Sequence, residues 1–297
     1  MAGGVESYPK SKVEFNLIMA EITAAQVGKL REMTNAGLMD CKKALAEANG
    51  DLSVAVDLLR KKGVATAAKK ASRDAKEGVI AQHIQAGARV GVLVEINCET
   101  DFVAKNESFR AFCDEVARTL AANPQADVET LRTAQVAKMG ENIKISRHQR
   151  LEVTGNGMVA AYIHTGAKVG VLVEVGAGKE ATTASEDFKQ LVRDITLQIV
   201  AASPLTVARD EVDPALIAKE REIAQDQMKN KPAQAIAKIV EGKLEKFYQG
   251  FCLVDQGFVK KNSEITVKEH LGIIGKQMGD EITIRRFIRF QVGETNA

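Results

Sequence analysis

A stretch of 19 residues occurs twice in this chain, and the repetition limits the fold more than any other feature. Residues 78–96 align without a gap on residues 157–175, at an offset of 79, and eleven of the 19 positions are identical. Each copy reads as a β-hairpin. Apolar runs rich in β-branched residues meet at a small-residue turn, Ala86-Gly87-Ala88 in the first copy and Thr165-Gly166-Ala167 in the second. The correspondence continues into an amphipathic helix. Phe109, Phe112, Val116 and Leu120 fall on Phe188, Leu191, Ile195 and Ile199 at the same offset, and both helices run into a proline stop, Asn123-Pro124 and Ser203-Pro204. Two duplicated hairpin-plus-helix α/β core subdomains follow, residues 78–156 and 157–213, each with a sheet face covered by its helix. The fold class is α+β.

Duplication supplies an internal control, because a feature shared by both copies is explained by shared fold. The clearest difference lies between the second strand and the helix. The first copy has Cys98-Glu99-Thr100-Asp101-Phe102-Val103-Ala104-Lys105-Asn106, and the second has Ala177-Gly178-Lys179-Glu180-Ala181-Thr182-Thr183-Ala184-Ser185, with no large apolar residue. The connection therefore does not need Phe102 or Val103. Two readings of these residues stand side by side. Phe102 folds back as a lid on its own core while Asp101 caps the next helix, or Phe102 is an exposed apolar wedge beside a charge, a hot-spot pairing for a protein partner.

The segments around the repeat are mostly helical. Residues 1–18 read as a leader or tag, expected to be disordered. Residues 19–63 read as three short helices: a capping box at Thr23 and Gln26, then Val27, Leu30 and Met33, a break at Gly37, a second face of Cys41, Leu45 and Ala48, and a third helix capped by Asp51 and ending at Gly63. Leu38 and Met39, straight after Gly37, suit either core packing or a docking patch, and Lys42-Lys43 suits a solvated face. Residues 64–77 form a helical or flexible linker with a basic run, Lys69, Lys70, Arg73 and Lys76. Residues 127–131 and 134–140 look helical, and 144–153 looks like an extra strand. Residues 214–249 carry two apolar stripes separated by Asn230-Lys231-Pro232, an inserted antiparallel helical hairpin whose polar outer faces suit projection from the body. A small carboxy-terminal module, 250–297, holds a helix over 267–275 capped by Thr266 and a closing strand over 281–292.

Composition narrows the function classes. Lys and Arg (41) nearly balance Asp and Glu (39), a net charge of +2, which weighs against a dedicated nucleic-acid binder. The four cysteines, 41, 98, 113 and 252, form no CxxC or Cys/His cluster, so disulfide and zinc frameworks are not indicated and a reducing cytoplasm fits. No run reaches the ~18 apolar residues of a membrane span. Nucleophile motifs, a P-loop and GxGxxG are absent, and the histidines at 83, 148, 164 and 270 are scattered. No cofactor, metal, nucleotide or membrane binding is expected, and nothing points to an enzyme of bond chemistry.

Specific motifs carry a resemblance. Thr34-Asn35-Ala36-Gly37-Leu38-Met39-Asp40-Cys41-Lys42-Lys43-Ala44-Leu45, followed by Glu47-Ala48-Asn49-Gly50-Asp51, resembles the amino-terminal signature of bacterial translation elongation factor Ts. Asn97 to Asn106 is similar to that family's core signature, and Gly140-Glu141-Asn142-Ile143 and Val240-Glu241-Gly242-Lys243 fit it as well. The resemblance covers residues 19–293. It implies an amino-terminal module like a ubiquitin-associated domain, a coiled coil at the helical hairpin, and guanine-nucleotide exchange on elongation factor Tu. It further implies that Thr100, Asp101, Phe102 and Val103 dislocate the partner's magnesium ion. Leu38, Met39, Lys42, Met139, Gly140, His164 and Val259 are implied as partner contacts.

Overall fold

Strand pairing in the computed structural model, which describes residues 22–34, 36–227 and 232–294, follows the repeat. The leader expected at 1–18, Asn35 of the amino-terminal signature and the breaker at Asn230-Lys231 lie outside these residues. The chain divides into two units, one ending at Ala65 and the other beginning at Thr66.

In the first unit, α1 (Ala24–Thr34) begins at a reciprocal capping box. The Thr23 amide donates to Gln26 Oε1 (2.9 Å) and the Gln26 amide to Thr23 Oγ1 (3.2 Å), so two otherwise orphaned donors are satisfied. Val27 and Leu30 are buried, whereas Met33, expected on the same stripe, is exposed. Helix α2 (Leu38–Glu47) buries Cys41, Ala44 and Leu45 and ends at Asn49 and Gly50, both at positive φ. Asp51 Oδ1 accepts from the Ser53 and Val54 amides to start α3 (Leu52–Lys70). The stop expected at Gly63 does not occur. One glycine costs a helix only about 1 kcal/mol, and Ala67 beyond it is buried in the second unit.

The second unit is built from two sheets. Strands β1 (Glu77–Ile84), β2 (Val90–Cys98) and β3 (Ile143–Glu152) form one, and β4 (Gly157–Ile163), β5 (Val169–Ala177) and β6 (Ile282–Gln291) the other, all antiparallel with β2 and β5 central. After β2 come the short helix α4 (Asp101–Lys105) and α5 (Glu107–Ala122), and after β5 come α7 (Glu180–Ala184) and α8 (Glu186–Ala202). Helix α5 covers the outer face of the first sheet and α8 that of the second. The inner faces stack on each other through Ile80, Leu93, Leu151 and Val153 against Val159, Leu172 and Phe290. Strand β2 is consequently buried at every position, which is why its sequence is a continuous apolar run and not an alternation.

The stacking is pseudo-symmetric down to single hydrogen bonds. The Ile80 amide donates to Ala167 O (2.7 Å) and its repeat equivalent, the Val159 amide, donates to Ala88 O (2.8 Å). Gly91 and Gly170, equivalent in the repeat, sit where the sheets touch. A Cβ on Gly91 would lie 2.8 Å from Leu172 Cδ1, and one on Gly170 2.5 Å from Ile80 Cγ2. Gly91→Ala should therefore lower unfolding free energy by about 1–3 kcal/mol through overpacking. Urea melts check this, and an unchanged midpoint would show that the sheets yield at no cost.

The structure extends the duplication beyond what the offset of 79 reveals. Helix α6 (Glu129–Met139) is one helix where the sequence suggested two, and it closes at Gly140, with φ 73°. Helix α11 (Val267–Met278) closes the same way at Gly279, with φ 60°. Each is followed by an acid and then the outer strand, so Met139-Gly140-Glu141 before β3 matches Met278-Gly279-Asp280 before β6. Both central strands are bulged at the same step, Glu95/Ile96 and Glu174/Val175. In the second copy, α9 (Pro214–Asp226) and α10 (Ala233–Phe251) are interposed before α11 and pack through Ile217, Ala224, Ile236, Val240 and Leu244. Arg209, stacked over Tyr248, fixes the base of α10 by pairing with Glu245 (2.7 Å) and Asp255 (2.8 Å).

Candidate functional site

The site begins where β2 ends. Cys98 is buried, its thiol is pushed up to about 12 by burial, and its Sγ donates to Thr100 O (3.2 Å). Thr100 is extended and caps α4, its Oγ1 accepting from the Val103 amide (3.3 Å). Six residues later Asn106 caps α5, its Oδ1 accepting from the amides of Ser108 (2.9 Å) and Phe109 (3.3 Å). Helix α4 is thus a single step between two capped starts. Its Ala104 is buried and Val103 packs on the first core, while Phe102 points away and is 81% exposed. Asp101 pairs with Lys105 (2.7 Å), and that hydrogen bond holds the Asp101 carboxyl below its usual range.

This geometry excludes one of the two readings of Phe102. It is no lid, since it does not lie on the core, and Asp101 does not cap α5, since Asn106 does. In the second copy, α7 carries Ala181 at the position of Phe102, and its N-cap Lys179 makes no side-chain cap. One repeat presents an aromatic on a capped step, and the other presents a methyl group.

Glu141, following the left-handed Gly140, reaches across to the same loop. Its Oε2 accepts from the Glu99 and Thr100 amides (3.0 Å each) and its Oε1 from Thr100 Oγ1 (2.6 Å). Glu99 returns the contact, its Oε1 accepting from the Asn142 amide (2.6 Å). The basic run expected as a solvated face takes part: Lys70 Nζ donates to Gly140 O (2.5 Å), and Arg73 lies 3.5 Å from Glu99. The hairpin turn carrying exposed His164 is fastened to β1, with Lys168 Nζ 2.5 Å from Glu77 Oε2, and Glu77 pairs in register with Cys98. Thr100–Val103, Met139–Gly140 and the His164 turn therefore share one end of the first sheet. Val259 sits elsewhere, its amide donating to Gln198 Oε1 of α8 (2.9 Å). Leu38 and Met39, in the first unit, are 53% and 61% exposed, so core packing does not explain them, and Lys42 is exposed, as a solvated face requires. Sequence reasoning passed over Glu99 and Glu141 as site residues. The available signal was the second Met-Gly-acid, hidden by the inserted helices.

The family model described as elongation factor TS matches residues 99–294. The chain is 44% identical to elongation factor Ts of Nautilia profundicola over 291 residues, 93% of this chain and 94% of that protein. It is equally 44% identical to elongation factor Ts of Symbiobacterium thermophilum over 285 residues, 93% of each. Elongation factor Ts of Clostridioides difficile is 44% identical over 294 residues, 93% of this chain and 94% of that protein. The chain belongs to the elongation factor Ts family. The matched segment contains Thr100–Val103, Met139, Gly140, His164 and Val259, while Leu38, Met39 and Lys42 precede it. Among the described residues, no helix is long and apolar enough to cross a membrane.

Proposed function

We propose that this chain is a guanine-nucleotide exchange factor that binds elongation factor Tu in its GDP form, disturbs its magnesium site and releases GDP during translation elongation in the cytoplasm. The observation that carries the reading is Phe102, a large aromatic 81% exposed on a capped step that the sister repeat builds without one. Membership of the elongation factor Ts family supports elongation factor Tu as the partner. A GTPase holds its nucleotide partly through Mg²⁺, which demands near-ideal octahedral oxygen ligation. A side chain wedged between helices of the GTPase moves those ligands, and a strict geometry tolerates little movement. The Asp101 ion pair with exposed Lys105 is one that a polar group of the GTPase can replace. No bond is made or broken by this chain, and no cofactor is needed.

The remaining contacts divide the work. Met139, Gly140 and His164 flank the wedge, Val259 adds a contact from the carboxy-terminal module, and Leu38, Met39 and Lys42 dock the amino-terminal module, which we read as ubiquitin-associated-like. We read the α9–α10 hairpin as a coiled coil. Two tests follow. Catalytic amounts of the chain should accelerate release of a fluorescent GDP from elongation factor Tu in stopped flow, and release at the spontaneous rate sinks the proposal. Replacing Leu38 and Met39 together with serine should weaken the complex by about 10-fold or more, the scale of losing two apolar anchors. Thermal unfolding should be unchanged, because both side chains are exposed; titration calorimetry and a melt separate the two effects.

A further inference from the structure

The exposed position of Phe102 raises a physical question, because a helix of five residues has no stability of its own. Its first turn leaves amide donors without partners, and its one side-chain cap, Thr100 Oγ1, holds the Val103 amide at 3.3 Å. What surrounds that cap is a single carboxylate. The Thr100 hydroxyl donates to Glu141 Oε1 (2.6 Å), which leaves the lone pairs of Thr100 Oγ1 to accept from the Val103 amide. Its Oε2 takes the amides of Glu99 and Thr100, so one side chain holds the segment entering α4 by two backbone amides and one hydroxyl. The carboxylate also brings negative charge to the positive end of α4. Glu141 is itself held, because Gly140 turns the chain at the end of α6 and the neighbouring Asn142 amide donates to Glu99 (2.6 Å).

The second repeat shows that this arrangement is a built device. Asp280, at the equivalent place, accepts from the Gly178 amide (3.1 Å), the Lys179 amide (2.9 Å) and Thr182 Oγ1 (2.5 Å). The carboxylate is therefore general to the fold, and only the first repeat uses it under an aromatic.

We infer that Glu141 is a positioning residue for nucleotide exchange, which keeps α4 formed in the free chain so that Phe102 is presented ready to insert. This rests on the exchange reading given above. The consequence is a separation of effects. When only a fraction of molecules holds the binding-competent form, apparent affinity falls by that fraction, while the fully bound state is unaltered. Loss of Glu141 acts on affinity, whereas loss of Phe102 acts on the limiting rate.

The test uses the full chain. Glu141→Gln keeps one acceptor and removes the charge; Glu141→Asp copies the acid that works at 280. In GDP-release titrations against elongation factor Tu, Glu141→Gln should raise the half-saturating concentration by about tenfold, the scale of one charged hydrogen-bond set, and keep the limiting rate within about twofold. Glu141→Asp should recover most of the affinity. In the free chain, amide hydrogen exchange at Ala104 and Lys105 should quicken by about tenfold in Glu141→Gln, with Val94 and Ile96 in β2 unaffected. Wild-type protection of Ala104 and Lys105 in Glu141→Gln overturns the inference whatever the exchange activity is, as does an unchanged half-saturating concentration. A Phe102→Ala chain with the wild-type limiting rate instead overturns the wedge and leaves the protection result standing.

Discussion

Phe102→Ala is expected to reduce the acceleration of GDP release by about 10–100-fold while leaving thermal unfolding of the free chain where it was. The two halves of that expectation come from the same number. At 81% exposure the ring contributes almost nothing to the fold, so its removal falls in the class of surface changes worth within ~0.5 kcal/mol. Burying a phenylalanine in a partner contributes ~1.5–3 kcal/mol, and each ~1.4 kcal/mol is a factor of ten in rate. The neighbouring Val103 differs, since it packs on the first core and its truncation should lower stability as well as exchange. Stopped-flow release and a thermal melt on the same preparations distinguish the two residues. A Phe102→Ala chain that exchanges at the wild-type rate removes the wedge from the mechanism. A chain that melts early means that the aromatic is part of the core after all.

What the sequence reveals of this molecule, and what it hides, follows from how local each signal is. Hairpins, α5 and α8 are legible because their patterns are contiguous and occur twice, and the turns are marked by Gly87 and Gly166 at positive φ. Exposure of Phe102 is not legible from its own loop. Only comparison with Ala181 separates a residue the turn needs from one it merely carries. The third strand of each sheet escapes the repeat because α9 and α10 separate β6 from β5 by over a hundred residues, whereas β3 follows β2 at about half that distance. Glu141 and Asp280 are hidden for the same reason, since a hydrogen bond across 41 residues in one copy and 101 in the other has no local pattern. Gly63 is misread in the opposite direction: a local breaker is outweighed by burial of Ala67 one turn on. Lys70 and Arg73 look solvated in sequence because nothing nearby in the chain shows that Gly140 and Glu99 lie against them.

Glu174→Ala should damage the fold of the second unit, lowering stability by about 3 kcal/mol. Glu174 is 1% exposed at the bulge of β5, with Arg285 Nη1 at 2.9 Å and Arg286 Nε at 2.7 Å on β6. Those arginines also reach back to the connection between the repeats, Arg285 to Asn156 O (2.8 Å) and Arg286 to Glu152 O (2.9 Å). One carboxylate therefore ties the closing strand, the central strand and the linker together. Removing one member of a buried pair costs about 3–5 kcal/mol because the partner charge is left uncompensated, and the partial exposure of both guanidinium groups places this case at the lower end. The effect carries a pH signature. Burial works to raise the Glu174 carboxyl, but hydrogen bonds from Arg285 and Arg286 outweigh it and hold the group below the ordinary glutamate range. A carboxyl depressed by folding contributes stability that is full above its unfolded value, ~4.3, and is lost as pH falls through the lower folded value. The wild type should therefore lead Glu174→Ala by the whole amount at pH 7, and the gap should narrow as pH falls below about 4. Urea midpoints taken across that interval measure it. A gap that stays constant down to pH ~3 means that Glu174 stabilises by packing alone and that its two arginines hold β6 without its charge.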